Sequence, residues 1–140
     1  MPDMSDFNTK IIEEFRANNG VVGGPFTGAP MLLLTTTGAK SGAERVNPLV
    51  YLTENNHVYI FASYAGAPTN PDWFHNVKAH PEVTVEVGGS RYAATATPIE
   101  GPERDRIYAA QVAVMPGFGE YQEKAVGRTI PVVELVRVES

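Results

Sequence analysis

LLLTTTGAKSGAERVNP, residues 32–48, decides the fold: an apolar, β-branched run stops at a turn of small residues and a second extended run restarts at Arg45. Residues of this kind favour a pleated surface, so the stretch reads as two strands around a glycine-flanked loop. That loop carries Lys40 and Ser41, and with Arg45 it brings backbone amides and fixed positive charge to one place, the complement of an anion. Working outward, residues 31–37, 46–53 and 57–63 read as successive strands, the last two joined through Glu54, Asn55 and Asn56. Tight turns between neighbouring strands imply an antiparallel sheet. Val83, Val85 and Val87 alternate with Thr84 and Glu86 up to a Gly88-Gly89 pair, which reads as a two-residue hairpin turn. That turn sets Val85 opposite Tyr92 and Val83 opposite Ala94, with the apolar residues on one face. A last strand over residues 130–138 has Pro131 at its start or edge.

Helices separate these strands. Ser5 is placed to cap a first one, whose Phe7, Ile11, Ile12 and Phe15 form an apolar stripe opposite Asp6, Lys10, Glu13, Glu14 and Arg16; Asn18, Asn19 and Gly20 end it. We expect this helix to pack on the domain. The alternatives are weak association with a membrane or a cover over the mouth of a site, and the polar face is not basic enough to favour the membrane. A glycine- and proline-rich connector follows over residues 21–30. Asn70, Pro71 and Asp72 open a second helix in the order cap, proline, acid, and it carries Trp73, Phe74 and Val77 to His80, before Pro81. A third runs from Gly101 and Pro102 to about Val114, broken at Pro116 and Gly117 and followed by the aromatic segment GFGEYQ. The expectation is an α+β fold: a partly open β-barrel of about six mostly antiparallel strands with three helices. Residues 1–29 would be helix and connector, and residues 30–140 the barrel.

The chain of 140 residues is long enough for one domain with a sizeable core. It has no cysteine, which excludes disulfides, thiolate metal sites and cysteine nucleophiles. Of its three histidines, His75 and His80 do not share a helix face and His57 sits in a strand, so no metal site is expected. A net charge of −5 argues against nucleic acid as a partner. Without a membrane-length apolar run or a leader pattern, a cytoplasmic protein is the expectation.

Three places can carry chemistry. GAKSG, residues 38–42, is like the end of a phosphate-binding loop, but the upstream glycine is missing and a strand follows, which rules out a nucleoside triphosphatase. Lys40 and Arg45 suit a phosphate or carboxylate, or they are ordinary cations of a solvated hairpin tip. In ASYAGAPTNPDWFHN, residues 62–76, small residues let a flat group approach the backbone, Ser63 can hydrogen-bond a ring heteroatom and Asn76 offers an amide. For Trp73 itself a core role is the stronger reading. In residues 115–121, Phe118 and Tyr121 form either an apolar lid with one hydroxyl or a surface loop with its aromatics tucked down. No serine, histidine and acid set and no carboxylate pair points to hydrolysis. Hard chemistry would have to come from a bound cofactor.

TTTGAKSGAERVNPL, ASYAGAPTNPDWFHNVKAHPEV, PGFGEYQ and RTIPVVEL, in this order and spacing over roughly residues 30–138, resemble the deazaflavin-dependent nitroreductase family of actinobacteria and its quinone-reducing relatives. The resemblance implies a split β-barrel and coenzyme F-420, a deazaflavin with a ribityl phosphate and an oligoglutamate tail. It implies that Ala39, Lys40, Ser41 and Arg45 bind that coenzyme, the last three facing phosphate and tail. It places Ala62, Ser63 and Tyr64 along ribityl and ring, and Trp73, Phe74 and Asn76 around the deazaflavin. Phe118 and Tyr121 fall in the substrate pocket, with Tyr121 and Ser63 as catalytic candidates that stabilise charge on the acceptor. The implied reaction is hydride transfer to a planar, electron-poor acceptor: a quinone, an activated enone or a nitroaromatic.

The chain departs from the family pattern at Ala39, where a second basic residue is usual, and at Tyr64 and Ala65, where lysine and glycine are usual. Fewer cations imply weaker, more salt-sensitive tail binding or a different preferred tail length. Phe118 replaces a tyrosine of some nitroreductases, which counts against activation of bicyclic nitroimidazoles. An FMN enzyme of the same barrel class and a non-catalytic deazaflavin carrier remain as alternatives. Monomer and homodimer are both open.

Overall fold

The structure is a computed structural model that describes residues 4–18, 31–54, 57–63, 70–125 and 129–138, with side chains in the first helix from Thr9 onward. The readings of Ser5, Phe7, the 21–30 connector and the Asn55-Asn56 turn lie outside what is described.

The strands are β1 (Met31–Thr37), β2 (Glu44–Glu54), β3 (His57–Phe61), β4 (Glu82–Val87), β5 (Ser90–Ile99) and β6 (Val132–Arg137). The helices are α1 (Met4–Ala17), α2 (Asp72–Ala79), α3 (Gly101–Val114) and α4 (Gly117–Lys124). The strands close into a barrel in the order β1-β2-β3-β6-β5-β4, and every pairing, including the β1–β4 seam, is antiparallel. The expected α+β barrel is therefore present, closed rather than partly open. Val85 faces Tyr92 and Val83 faces Ala94 across the Gly88-Gly89 turn, the register read from the sequence.

Why β1 is apolar without interruption follows from its position. Leu32 and Leu34 face the barrel interior with Ile60, Val83, Val85, Ala94, Ala96, Val133 and Leu135, and Trp73, Phe74 and Val77 of α2 pack against the same interior. Met31 and Leu33 face outward and are buried by Ile11 and Phe15 of α1. A strand buried on both faces needs apolar residues at every position, not at alternate ones. The stripe of α1 is thus spent on the barrel, as expected for a packed helix. Arg16 ties α1 to β4 by two hydrogen bonds to the Glu86 carboxylate, at 3.2 and 2.8 Å, which raise the guanidinium pKa above its usual value. Tyr59 and Phe61 of β3 and Val132 of β6 face outward into a third cluster, covered by Ile107 and Tyr108 of α3 and Phe118 of α4.

Two expectations need correction. Among the described residues there are four helices rather than three, because GFGEYQEK is α4. Its two glycines disfavour a helix, but burial of Phe118 against Phe61 and Tyr108 outweighs that local cost. At the start of α2 the cap position is Pro71, whose side chain makes no capping hydrogen bond, so Asn70 lies one residue outside the expected place.

Candidate functional site

A cleft of about 980 Å³ opens between the β1–β2 turn, the start of β2, α2 and α1. The turn that forms its lip is held from within. The Gly38 amide donates to the Ala43 carbonyl at 2.7 Å, and the Gly42 amide to the Gly38 carbonyl at 3.0 Å. The Ala43 amide donates to Ser41 Oγ at 3.2 Å. A Cβ on Gly38 would lie 2.6 Å from Ser41 Oγ and 3.3 Å from the Ala43 carbonyl oxygen, so a larger residue there would displace the Ser41 side chain. Gly42 has φ of 72°, the left-handed region that glycine adopts without strain. These bonds leave the amides of Lys40 and Ser41 without a partner among the described residues, two donors on the rim of the cleft.

Asn76 fastens this turn to α2. Its Oδ1 accepts the Ala39 amide at 3.0 Å, and its Nδ2 donates to Thr36 Oγ1 at 3.2 Å. Asn76 and Thr36 are both buried. Ala39 therefore enters the site through its backbone, and the side-chain amide of Asn76 is largely committed to holding the turn.

Lys40 and Arg45 are exposed on the cleft wall and pair with no carboxylate among the described residues. Arg16, Arg104 and Arg106, by contrast, are each held by acidic partners. Sequence reasoning missed three other titratable residues of the lining: Glu44, Asp72 and His75. No periodicity marks such positions, since they are solvent-facing residues brought together by the β1–β2 turn and the entry of α2. Thr9 and Ile12 add a wall from α1.

The cleft gathers Ala39, Lys40, Ser41, Arg45, Trp73 and Asn76 of the expected coenzyme residues. Trp73 serves two purposes, since it lines the cleft and also packs in the barrel interior with 4% exposure. Phe74 is turned to the interior and Ala62 is fully buried, its amide donating to the Pro131 carbonyl at 3.0 Å. Ser63 follows at the exit of β3, and Tyr64 lies outside the described residues.

Phe118 and Tyr121 are not brought to this cleft. They sit on α4 in the outer cluster, their rings 5.3 Å apart, and the Phe118 carbonyl accepts the Tyr108 hydroxyl. Phe118 is buried core, not a lid, because the helix turns its ring onto Phe61. Tyr121 is half-buried, and its hydroxyl has no hydrogen-bond partner among the described residues. Among those residues no group of three or more histidines, cysteines or acids could hold a metal ion, and no helix is long and apolar enough to cross a membrane.

The sequence model of a family described as F420H(2)-dependent quinone reductase matches residues 9–137. The chain belongs to this family. An F420H(2)-dependent quinone reductase of Mycobacterium tuberculosis, Rv1261c, is 37% identical over 126 residues, 88% of this chain and 85% of that protein. A solved F420-H2 dependent reductase is 42% identical, with a TM-score of 0.69 over 76% of this chain and 93% of that one. A structure described as a domain-swapped dimer is 38% identical, with a TM-score of 0.71 over 95% and 97%. The split barrel, the dependence on coenzyme F420 and the oxidoreductase class implied by the sequence are those of the F420H(2)-dependent quinone reductase family.

Proposed function

We propose that the protein reduces a quinone with deazaflavin coenzyme F420, and that the cleft beside the β1–β2 turn holds the anionic handle of that coenzyme. The observation that carries this reading is the convergence of Lys40 and Arg45 with the amides of Lys40 and Ser41, none of which has a partner among the described residues, in a chain of this family. That donor set fits a phosphate and neighbouring carboxylates: a guanidinium fork, a point charge and two turn amides. When bound, the reduced deazaflavin supplies a hydride.

This chain's own residues bind and orient. Arg45, Lys40 and the amides grip the handle, Asn76 keeps the turn in place through Ala39, and Trp73 gives the cleft an apolar wall. Fixed geometry of this kind converts binding into reactive alignment. On the acceptor side we assign charge stabilisation to Ser63 and Tyr121. Both hold positions that match the family pattern, and the Tyr121 hydroxyl is uncommitted among the described residues. A donor aimed at the developing oxyanion lowers the barrier to reduction of a carbonyl-type acceptor. Activated enones and nitroaromatics present similar electron-poor centres and extend the proposed acceptor range. We place the reaction in the cytoplasm. The domain-swapped relative supports a homodimer as an accessible state.

Equilibrium dialysis against the deazaflavin coenzyme and against FMN tests the reading. Deazaflavin should bind and be displaced poorly by FMN, and Lys40→Ala with Arg45→Ala should weaken it. Tight FMN binding without deazaflavin binding would reassign the cleft. Reduced coenzyme that binds yet stays unoxidised with quinones would make the protein a carrier.

A further inference from the structure

We infer that Glu44 and Asp72 make this cleft selective for short-tailed forms of the deazaflavin coenzyme, an inference that rests on the coenzyme reading above. Two cations, Lys40 and Arg45, and two carboxylates, Glu44 and Asp72, line one cleft, with His75 as the fifth titratable group. All four of those charges are exposed, and no ion pair joins any of them among the described residues. Within the described residues, each therefore acts on whatever enters.

The consequence depends on how many negative charges the ligand carries. A phosphate and the first tail carboxylate meet Lys40, Arg45 and the two amides, which is a favourable match. Every further glutamate adds one negative charge after the two cations are matched, and the remaining lining charges repel it. A wall suited to a long polyanion would carry cations alone. Here the carboxylates equal the cations in number: Glu44 directly precedes Arg45 along β2, and Asp72 opens α2 on another wall. Repulsion between exposed charges fades over a Debye length, about 8 Å at physiological ionic strength. It thus acts on the glutamates nearest the cleft and not on those extended into solvent, so the selectivity is modest in size.

The test compares coenzyme carrying a single glutamate with coenzyme carrying a long oligoglutamate tail. Affinity is measured by equilibrium dialysis on the deazaflavin chromophore, at low salt and pH 8. The wild-type protein should bind the single-glutamate form about two- to fivefold more tightly, the scale of exposed charge interactions. Glu44→Gln combined with Asp72→Asn should tighten the long form and bring the ratio close to one, with an unfolding midpoint near that of the wild type. Raising the salt should shrink the wild-type ratio in the same direction. A wild-type preference for the long tail, or a ratio that the double substitution leaves unchanged, overturns the inference. If both forms bind equally and Lys40→Ala weakens both, tail selectivity is lost while the coenzyme reading stands. Failure of both forms to bind overturns the two together.

Discussion

Replacing Asn76 by alanine removes two hydrogen bonds at once, from the Ala39 amide at 3.0 Å and to Thr36 Oγ1 at 3.2 Å. A net contribution of about 0.5–1.5 kcal/mol per bond puts the loss of stability at about 1–3 kcal/mol. Thr36 stays behind in a buried setting whereas the exposed Ala39 amide can turn to water, so the middle of that range is expected. For a chain of this length, each kcal/mol corresponds to a fall in melting temperature of roughly 4 °C. The substitution also detaches the β1–β2 turn from α2, so the groups that grip the coenzyme must be ordered during binding. Transfer of about 1.4 kcal/mol of that cost into binding weakens the coenzyme tenfold. Asn76→Asp is the informative companion: it keeps an acceptor for Ala39, loses the donor to Thr36 and adds a negative charge close to the anionic handle. It should destabilise at least as much as alanine, because it puts a charge in a buried position, and it should bind coenzyme more weakly still, an excess that shrinks in high salt. Urea unfolding and equilibrium dialysis on the same preparations measure both quantities. Stability and affinity both unchanged in Asn76→Ala would refute the idea that this amide holds the site together.

Lys40→Ala and Arg45→Ala should each weaken coenzyme binding by about 0.5–1 kcal/mol, the scale for exposed charges, and a titration across ionic strengths should show the loss fading with salt. Tyr121→Phe should reduce turnover with quinone about ten- to a hundredfold while the dissociation constant of the coenzyme holds steady; the opposite split would move Tyr121 to the coenzyme side. Phe118→Ala should cost about 3–5 kcal/mol in a denaturant titration, because it empties the outer cluster around Phe61 and Tyr108. A small effect there would mean that the ring is a mobile cover after all.

The barrel was legible where period and turn chemistry agree. The Gly88-Gly89 hairpin declared its own register and β1 read as a strand, but that both its faces are buried, one inside the barrel and one under α1, came only with the structure. Ring closure was not legible, because the β1–β4 seam joins residues far apart in the chain and leaves no local mark. α4 was hidden for a related reason: Gly117 and Gly119 argue against a helix, and only Phe118 burial decides for it. At the site, Lys40, Ser41 and Arg45 could be named from the loop they occupy. Glu44, Asp72 and His75 could not, since the cleft they line together exists only after the turn and α2 meet. Asn76 was read as an amide offered to a ligand, whereas its bonds to Thr36 and Ala39 show a fastening that its residue type alone does not disclose.

The strand order has a bearing on how the chain is made. β6, the last strand, inserts between β3 and β5, so both of those edges stay open until Val132–Arg137 is available. Until β6 emerges, the folding chain presents two unpaired edges, each a template for pairing with another copy. Stop codons or proteolytic nicks upstream of Val132 should thus yield aggregates rather than a smaller folded product, however complete the rest of the sequence.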